Sequence, residues 1–225
     1  MTYAAKVICD SISAGSPGRE GPVRLTTLEV TMPRIVLAEF NTHRVFSRNS
    51  ASSRAIPVEK RIQAVLDNPF VPDAFAANKP GMQAGTLLND DDGMAARFEW
   101  LMARDSAVES ARALAAIGVH KQWANRLIEP FSWTTIVVTA TEWENFFNLR
   151  ISALAQPEIR RAAELMKAAM DASEPVTAKP GYWHLPYIQR DEFEEFYRDE
   201  TEHAAQRIVK ISAARCARVS YLTHD

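Results

Sequence analysis

The chain lacks most of the signatures by which a function is read directly. Its 225 residues include two cysteines, Cys9 and Cys216, too few and too far apart for a disulfide framework. No CxxC pair occurs, and no two of the five histidines (43, 120, 184, 203 and 224) stand at metal-ligand spacing, so no metal is expected. No apolar run approaches the ~18 residues needed to cross a bilayer. The opening MTYAAKVICD has no basic region leading into an apolar stretch, which excludes a secretory signal there. There is no GxxxxGK[ST], no GxGxxG and no GxSxG, so neither a standard nucleotide cradle nor a serine-hydrolase elbow is present. A formal charge of −2 is not the basic excess of a general nucleic-acid binder. Repeats and low-complexity segments are also missing. What remains is a globular chain with free thiols, expected in the cytoplasm, with no nucleic-acid or membrane partner.

The periodicities that are present mix strands with separate long helices. Residues 3–12 and 24–32 alternate loosely and predict strands, separated by a Gly-, Pro- and Ser-rich turn over 13–22. Pro33 is placed to start a helix over 35–44. Pro57 precedes a helix over 58–68, and 69–92 is punctuated as loop. A long helix is predicted over 93–117, ending at Gly118, and a short one over 120–131. Residues 132–141 (SWTTIVVTAT) are the clearest strand, being almost wholly β-branched from 134 to 141. Helices follow over 143–154 and 157–172. Residues 174–186, with three prolines and a glycine, predict a surface connection, and 190–215 a charged helix. The expected class is α+β.

Two windows carry chemistry. The first, 43-HRVFSRNSASSR-54, holds His43, Arg44, Arg48, Arg54 and four serines, with no Asp or Glu between Phe40 and Val58. Guanidinium forks, hydroxyls and loop N–H groups together suit phosphate oxygens. A solvated basic loop is the alternative, and the Ser/Asn content predicts a loop in either case. His43 alone reads as a structural histidine, and Ser52, without a partner base, as a hydrogen-bond donor. In the second window, 144-ENFFNLRISALAQPEIRRA-162, Arg150 follows Asn145 on a predicted helix whose apolar face carries Phe146, Phe147 and Leu149. An arginine there must find an anion or an acceptor. The plainer account is an internal ion pair, for example with Glu144 or Glu158.

Taken together, these windows resemble the flavin-dependent thymidylate synthases. The family pattern Arg-His-Arg, seven residues, Ser, then Arg two residues later is matched by 42-THRVFSRNSASSR-54 through His43, Arg44, Ser52 and Arg54, with Asn49 in register. Asn145-Phe146-Phe147-Asn148-Leu149-Arg150 and Ala155-Gln156-Pro157-Glu158-Ile159 resemble a second family segment. Ala124-Asn125-Arg126 with Pro130 resembles a third, whose arginine binds substrate phosphate. A fourth, Ala-Arg-Val-Ser, is near the N-terminus in most members and here falls in 214-ARCARVSYLTHD-225. That order is similar to circularly permuted, phage-type members, which would place the protein in a host cytoplasm. The family continues from this segment into a flavin-site stretch not found before Asp225. The expectation is a single domain over residues 1–225, shortened at its C-terminal end.

The resemblance implies reductive methylation of dUMP at C5 to give dTMP, with FAD as cofactor and NADPH and methylenetetrahydrofolate as co-substrates, in a homotetramer with sites between subunits. By position, Thr42, His43, Arg44, Asn49, Thr139, Thr141, Asn145 and Ser220 fall at FAD-binding positions. Glu39, Ser50, Ser52, Ser53, Arg54, Arg126 and Arg150 fall at dUMP-binding positions. Arg150 would be catalytic, facing the pyrimidine and favouring its anionic form. The chain departs from the pattern where Thr42 replaces an Arg, Ser50 a Glu, Leu154 a His, Glu39 a common Gln, and Thr139 and Thr141 the usual Asn and Arg. These changes leave open a related C5-modifying reaction (hydroxymethylation, or a cytidylate substrate) and a non-catalytic nucleotide-binding remnant.

Overall fold

The computed structural model describes residues 2–13, 21–179, 182–189, 191–194 and 202–220, with backbone only at 202–205 and 220. A five-stranded sheet organises it. The strands are β1 (Ala4–Ser13), β2 (Arg24–Pro33), β3 (Ser47–Ser50), β4 (Trp133–Ala140) and β5 (Val176–Ala178), in the order β3-β4-β2-β1-β5. The first three pairings from the β3 edge are antiparallel and β1–β5 is parallel. The helices are α1 (Leu37–Phe40), α2 (Val58–Asp67), α3 (Asp90–Ala116), α4 (Lys121–Ala124), α5 (Glu144–Arg150), α6 (Pro157–Asp171) and α7 (Glu202–Ala217), with 3-10 turns at Arg34–Val36, Glu129–Phe131 and Arg218–Ser220. The α+β expectation therefore holds.

Strand alternation decides which face is buried. Leu28, Val30 and Met32 of β2 and Ile136, Val138 and Ala140 of β4 point to one side. There they meet Ile159, Ala162, Ala163, Met166 and Met170, spaced along one stripe of α6, together with Phe40 of α1 and Phe146 of α5. Pro157 starts α6, where its missing N–H has no helical partner to lose. A smaller cluster joins Ile62 and Val65 of α2 to Val108 and Ala111 of α3 and to Ile128 and Phe131. The opposite sheet face is polar. Thr27 contacts His184, Tyr187 donates to Glu29 at 2.5 Å, and Asn49 donates to the carbonyls of Cys216 and Ala217. The segment around 184–187 and the end of α7 therefore cover that face.

The long helix is capped at both ends. Asn89 accepts from the N–H of Asp92 at 2.9 Å, and Asp90–Asp92 complement the N-terminal dipole. Gly118 at φ +84 supplies the left-handed residue that ends it. Only Val108 and Ala111 of α3 are buried, while Met94, Phe98 and Met102, four residues apart, are exposed. Among the described residues no helix is long and apolar enough to cross a membrane. Both cysteines are free.

Several expectations need correction. The helix predicted over 35–44 is only a 3-10 turn followed by α1, because Thr42 takes the Glu39 carbonyl with its own hydroxyl and Arg48 takes that of Asn41. The first window is not all loop: its residues 47–50 form β3, paired with β4. The helix predicted over 143–154 stops at Arg150. The surface connection over 174–186 contains β5 and a buried Leu185. Of the helix predicted over 190–215, residues 190 and 195–201 lie outside the described residues. So do residues 14–20 of the predicted turn.

Candidate active site

Two adjoining centres gather the predicted residues. The first joins the end of α1 to the end of α5. Arg150 is the last residue of α5, and its Nε–H donates to His43 Nε2 at 2.9 Å while its Nη1 pairs with Glu39 Oε1. The partner of Arg150 is thus Glu39, not Glu144 or Glu158, and the pair spans 111 residues of sequence. His43 is buried, edge-on to Phe146 at 4.9 Å and stacked near Phe46 at 5.9 Å. Burial, then the Arg150 and Arg48 charges, hold the His43 pKa below its ordinary value. A neutral imidazole that accepts at Nε2 carries its proton on Nδ1. His43 therefore fixes the Arg150 guanidinium, and the Phe40–Phe46–Phe146 cluster fixes His43.

The second centre is the serine loop after β3. Four of its carbonyls are tied inward by three side chains from elsewhere in the chain. Arg34 Nη1 donates to Ala51 O at 3.1 Å, and Lys121 Nζ to Ala55 O at 3.1 Å. The fully buried Asn125 donates to Ser53 O at 2.7 Å and to Ile56 O at 3.0 Å. The N–H groups of Ala51, Arg54 and Ala55 are bonded within the fold as well, so the exposed Arg54 side chain is what the loop presents outward. Beneath it Arg34 and Arg126 share Glu129, at 2.9 and 3.0 Å. Burial works against the Glu129 charge, yet the Ser53 hydroxyl, Arg34 and Arg126 hold its pKa below the usual range. Arg61 is buried in the same region, and burial and then the Arg34 charge push its pKa down to about 10. Cations outnumber carboxylates there, so the loop rests on a positive base.

The order and geometry of these elements match a known pattern. The family model described as thymidylate synthase complementing protein matches residues 24–176. The chain belongs to that family. Two solved structures share its fold. A crystal structure of the UMP/dUMP methylase PolB from Streptomyces cacaoi bound with 5-Br UMP superposes with TM-score 0.59 at 20% identity, covering 75% of this chain and 88% of that one. The same enzyme bound with 5-Br dUMP gives 0.52 at 20% identity, over 70% and 68%. No curated protein sequence matches the chain. The thymidylate synthase complementing protein match begins at Arg24, so β1 and α7 lie outside it although both pack on the same sheet.

The remaining positions taken from the family pattern divide into committed and uncommitted side chains. Arg44 and Arg54 are exposed and make no side-chain hydrogen bond among the described residues, and the same holds for Thr141 and Asn145. Arg126 uses Nη1 on Glu129. Ser53 is buried and Ser52 half-buried, its Oγ accepting from the Arg54 N–H at 3.3 Å. Ser50 lines an open cleft of about 490 Å³ with Asn41, Phe46, Arg48, Asn49 and Ile136. By contrast the Thr42 hydroxyl is taken by the Glu39 carbonyl, and Thr139 contacts Thr27, which contacts His184. Asn49 is bonded to the carbonyls of Cys216 and Ala217. The out-of-order Ala-Arg-Val-Ser segment thus lies against the motif in space. The Ser220 side chain lies outside the described residues. Among those residues no cluster is placed to hold a metal ion.

Sequence reasoning missed Arg34, Lys121 and Glu129, because nothing local marks a residue that serves a loop far along the chain. Arg48 was visible in the window but looked like a ligand group. Its guanidinium instead donates to Asn41 Oδ1 at 2.6 Å, Asn41 O at 2.7 Å, Phe46 O at 2.9 Å and His43 O at 3.3 Å.

Proposed function

We propose that this chain modifies a uridylate at C5, carrying out the flavin-dependent thymidylate synthase reaction that converts dUMP to dTMP with methylenetetrahydrofolate, NADPH and FAD. The observation that carries this reading is the Arg150–His43–Glu39 centre together with a serine loop whose carbonyls at 51, 53, 55 and 56 are drawn inward. The first offers oriented polar atoms to a base. The second offers hydroxyls, the uncommitted Arg54 and the half-exposed Arg126, which pairs with Glu129 through Nη1 alone, to a phosphate. The uridylates bound to the two fold neighbours support the substrate class.

In this reading Ser50, Ser52, Ser53, Arg54 and Arg126 hold the sugar and phosphate of dUMP, and Glu39 and Arg150 meet the pyrimidine. Arg44, Thr141 and Asn145 are exposed and uncommitted, which fits a cofactor with charged phosphates, and they would hold FAD with His43 behind them. Thr42, Asn49 and Thr139 serve the fold as well as any flavin. FAD, when bound, supplies the hydride. The exposed Met94, Phe98 and Met102 stripe on α3 supports assembly of subunits, and we assign the family's homotetramer to it, with one domain per chain. A hydroxymethylating or cytidylate-specific relative is the second reading, left open by the departures from the family pattern at Thr42, Ser50 and Thr141. The deciding experiment is a visible absorbance spectrum of the purified protein with FAD and dUMP, followed by a methylation assay with dUMP. A flavin band that shifts on adding dUMP, with dTMP formed, is the expected result. Flavin-free protein, or a product from another pyrimidine alone, would rule the first reading out.

A further inference from the structure

The Arg150–Glu39 pair does not use all of its polar atoms. Arg150 gives Nε to His43 and Nη1 to Glu39, and Nη2 has no hydrogen bond among the described residues. Glu39 gives Oε1 to Arg150, and among the described residues Oε2 has no hydrogen bond. The two side chains stay 18% and 31% exposed, so these atoms are within reach of a ligand. The pair therefore presents one donor and one acceptor, with charges that cancel.

A lone arginine facing a uracil would stabilise the base after loss of its N3 proton, because the anion offers acceptors along its whole edge. A carboxylate beside that arginine reverses the preference. It accepts from N3–H while the guanidinium donates to a neighbouring carbonyl, and it repels an N3 anion. The geometry points to Glu39 as a specificity-determining residue that binds the uracil ring in its neutral form, N3 proton in place. No bond is made or broken in this selection. The inference rests on the uridylate reading above. It differs from the family-based expectation that Arg150 acts on an anionic base.

The test uses 5-fluorodeoxyuridine monophosphate, whose N3 ionisation is read by ultraviolet absorbance during a pH titration of the complex. In the wild-type protein the N3 pKa of the bound probe should lie above that of the free probe. Glu39→Gln, which keeps the shape and removes the charge, should lower the bound value by about 1 unit or more. Glu39→Asp keeps the charge and should retain the raised value, which separates the effect from misfolding. A wild-type bound value at or below the free one, or no change in Glu39→Gln, overturns the inference while leaving the uridylate reading intact. Stronger competition by deoxycytidine monophosphate than by dUMP overturns it as well. If folded protein binds none of these nucleotides, both readings fall together.

Discussion

The two halves of the 43–54 window are held in opposite ways. In the first half chosen side chains turn inward: His43 sits among Phe46 and Phe146, Arg48 binds three carbonyls and one side-chain oxygen, and residues 47–50 pair with β4. In the second half the carbonyls turn inward, toward Arg34, Lys121 and Asn125, and the outer surface is left to other groups. One stretch of uniform composition thus contains a scaffold followed by a loop held by its carbonyls. Counting arginines overstates the charge on offer, since Arg48 is occupied while Arg44 and Arg54 are not.

The largest effect should come from the group that joins the scaffold to chemistry. Arg150→Ala should lower dUMP turnover by about three orders of magnitude or more. FAD should remain bound, because the proposed flavin contacts lie on other residues. Flavin loss from a folded Arg150→Ala protein would show that Arg150 supports the cofactor instead of the base. Next is the serine loop. Asn125→Ala removes one buried and one part-buried hydrogen bond and leaves the Ser53 and Ile56 carbonyls without them, at a cost of about 2–4 kcal/mol measurable by urea unfolding. Nucleotide affinity should fall with it. Intact affinity in that variant would mean that the loop does not hold the phosphate.

The contrast between committed and open side chains is sharpest between two arginines of the same window. Arg48→Met deletes four hydrogen bonds and should destabilise the fold by about 2–3 kcal/mol. Arg44→Met should change stability by no more than about 0.5 kcal/mol and should weaken FAD binding. Equal stability losses in the two variants would erase the distinction drawn here.

Much of the fold was legible because its signals are local. β4 follows from its β-branched run, α6 from its apolar stripe and α3 from its length and the Gly118 stop. β3 was not legible: Ser-Arg-Asn-Ser has little strand preference and is extended because β4 offers an edge to pair with. The site was half legible. The motif positions of His43, Arg44, Ser52, Arg54, Arg126 and Arg150 were readable from the resemblance, and of these the structure joins His43 directly to Arg150. Which partner each would have was not readable, since Glu39 reaches Arg150 and Asn125 reaches Ser53 only through the folded sheet.

The smallest predicted effect concerns pH and separates the buried histidine from the exposed charges. Burial, with the Arg150 and Arg48 charges, depresses the His43 pKa in the folded state, and burial depresses that of His184. In the unfolded chain both return to about 6.5. As pH falls through that value the unfolded state takes up protons first, so folding free energy should decline below about pH 6.5. The decline should stop once the folded histidines also protonate. Above that window neither histidine contributes a slope. Urea unfolding at closely spaced pH values would measure it, and His43→Gln should flatten part of the slope. Exposed pairs such as Arg112 with Glu59 should leave that window untouched, since neither partner titrates there. A slope of the opposite sign would mean that His43 is protonated in the folded protein. It could then not accept from Arg150, and the guanidinium would have to be held in place by Glu39 alone.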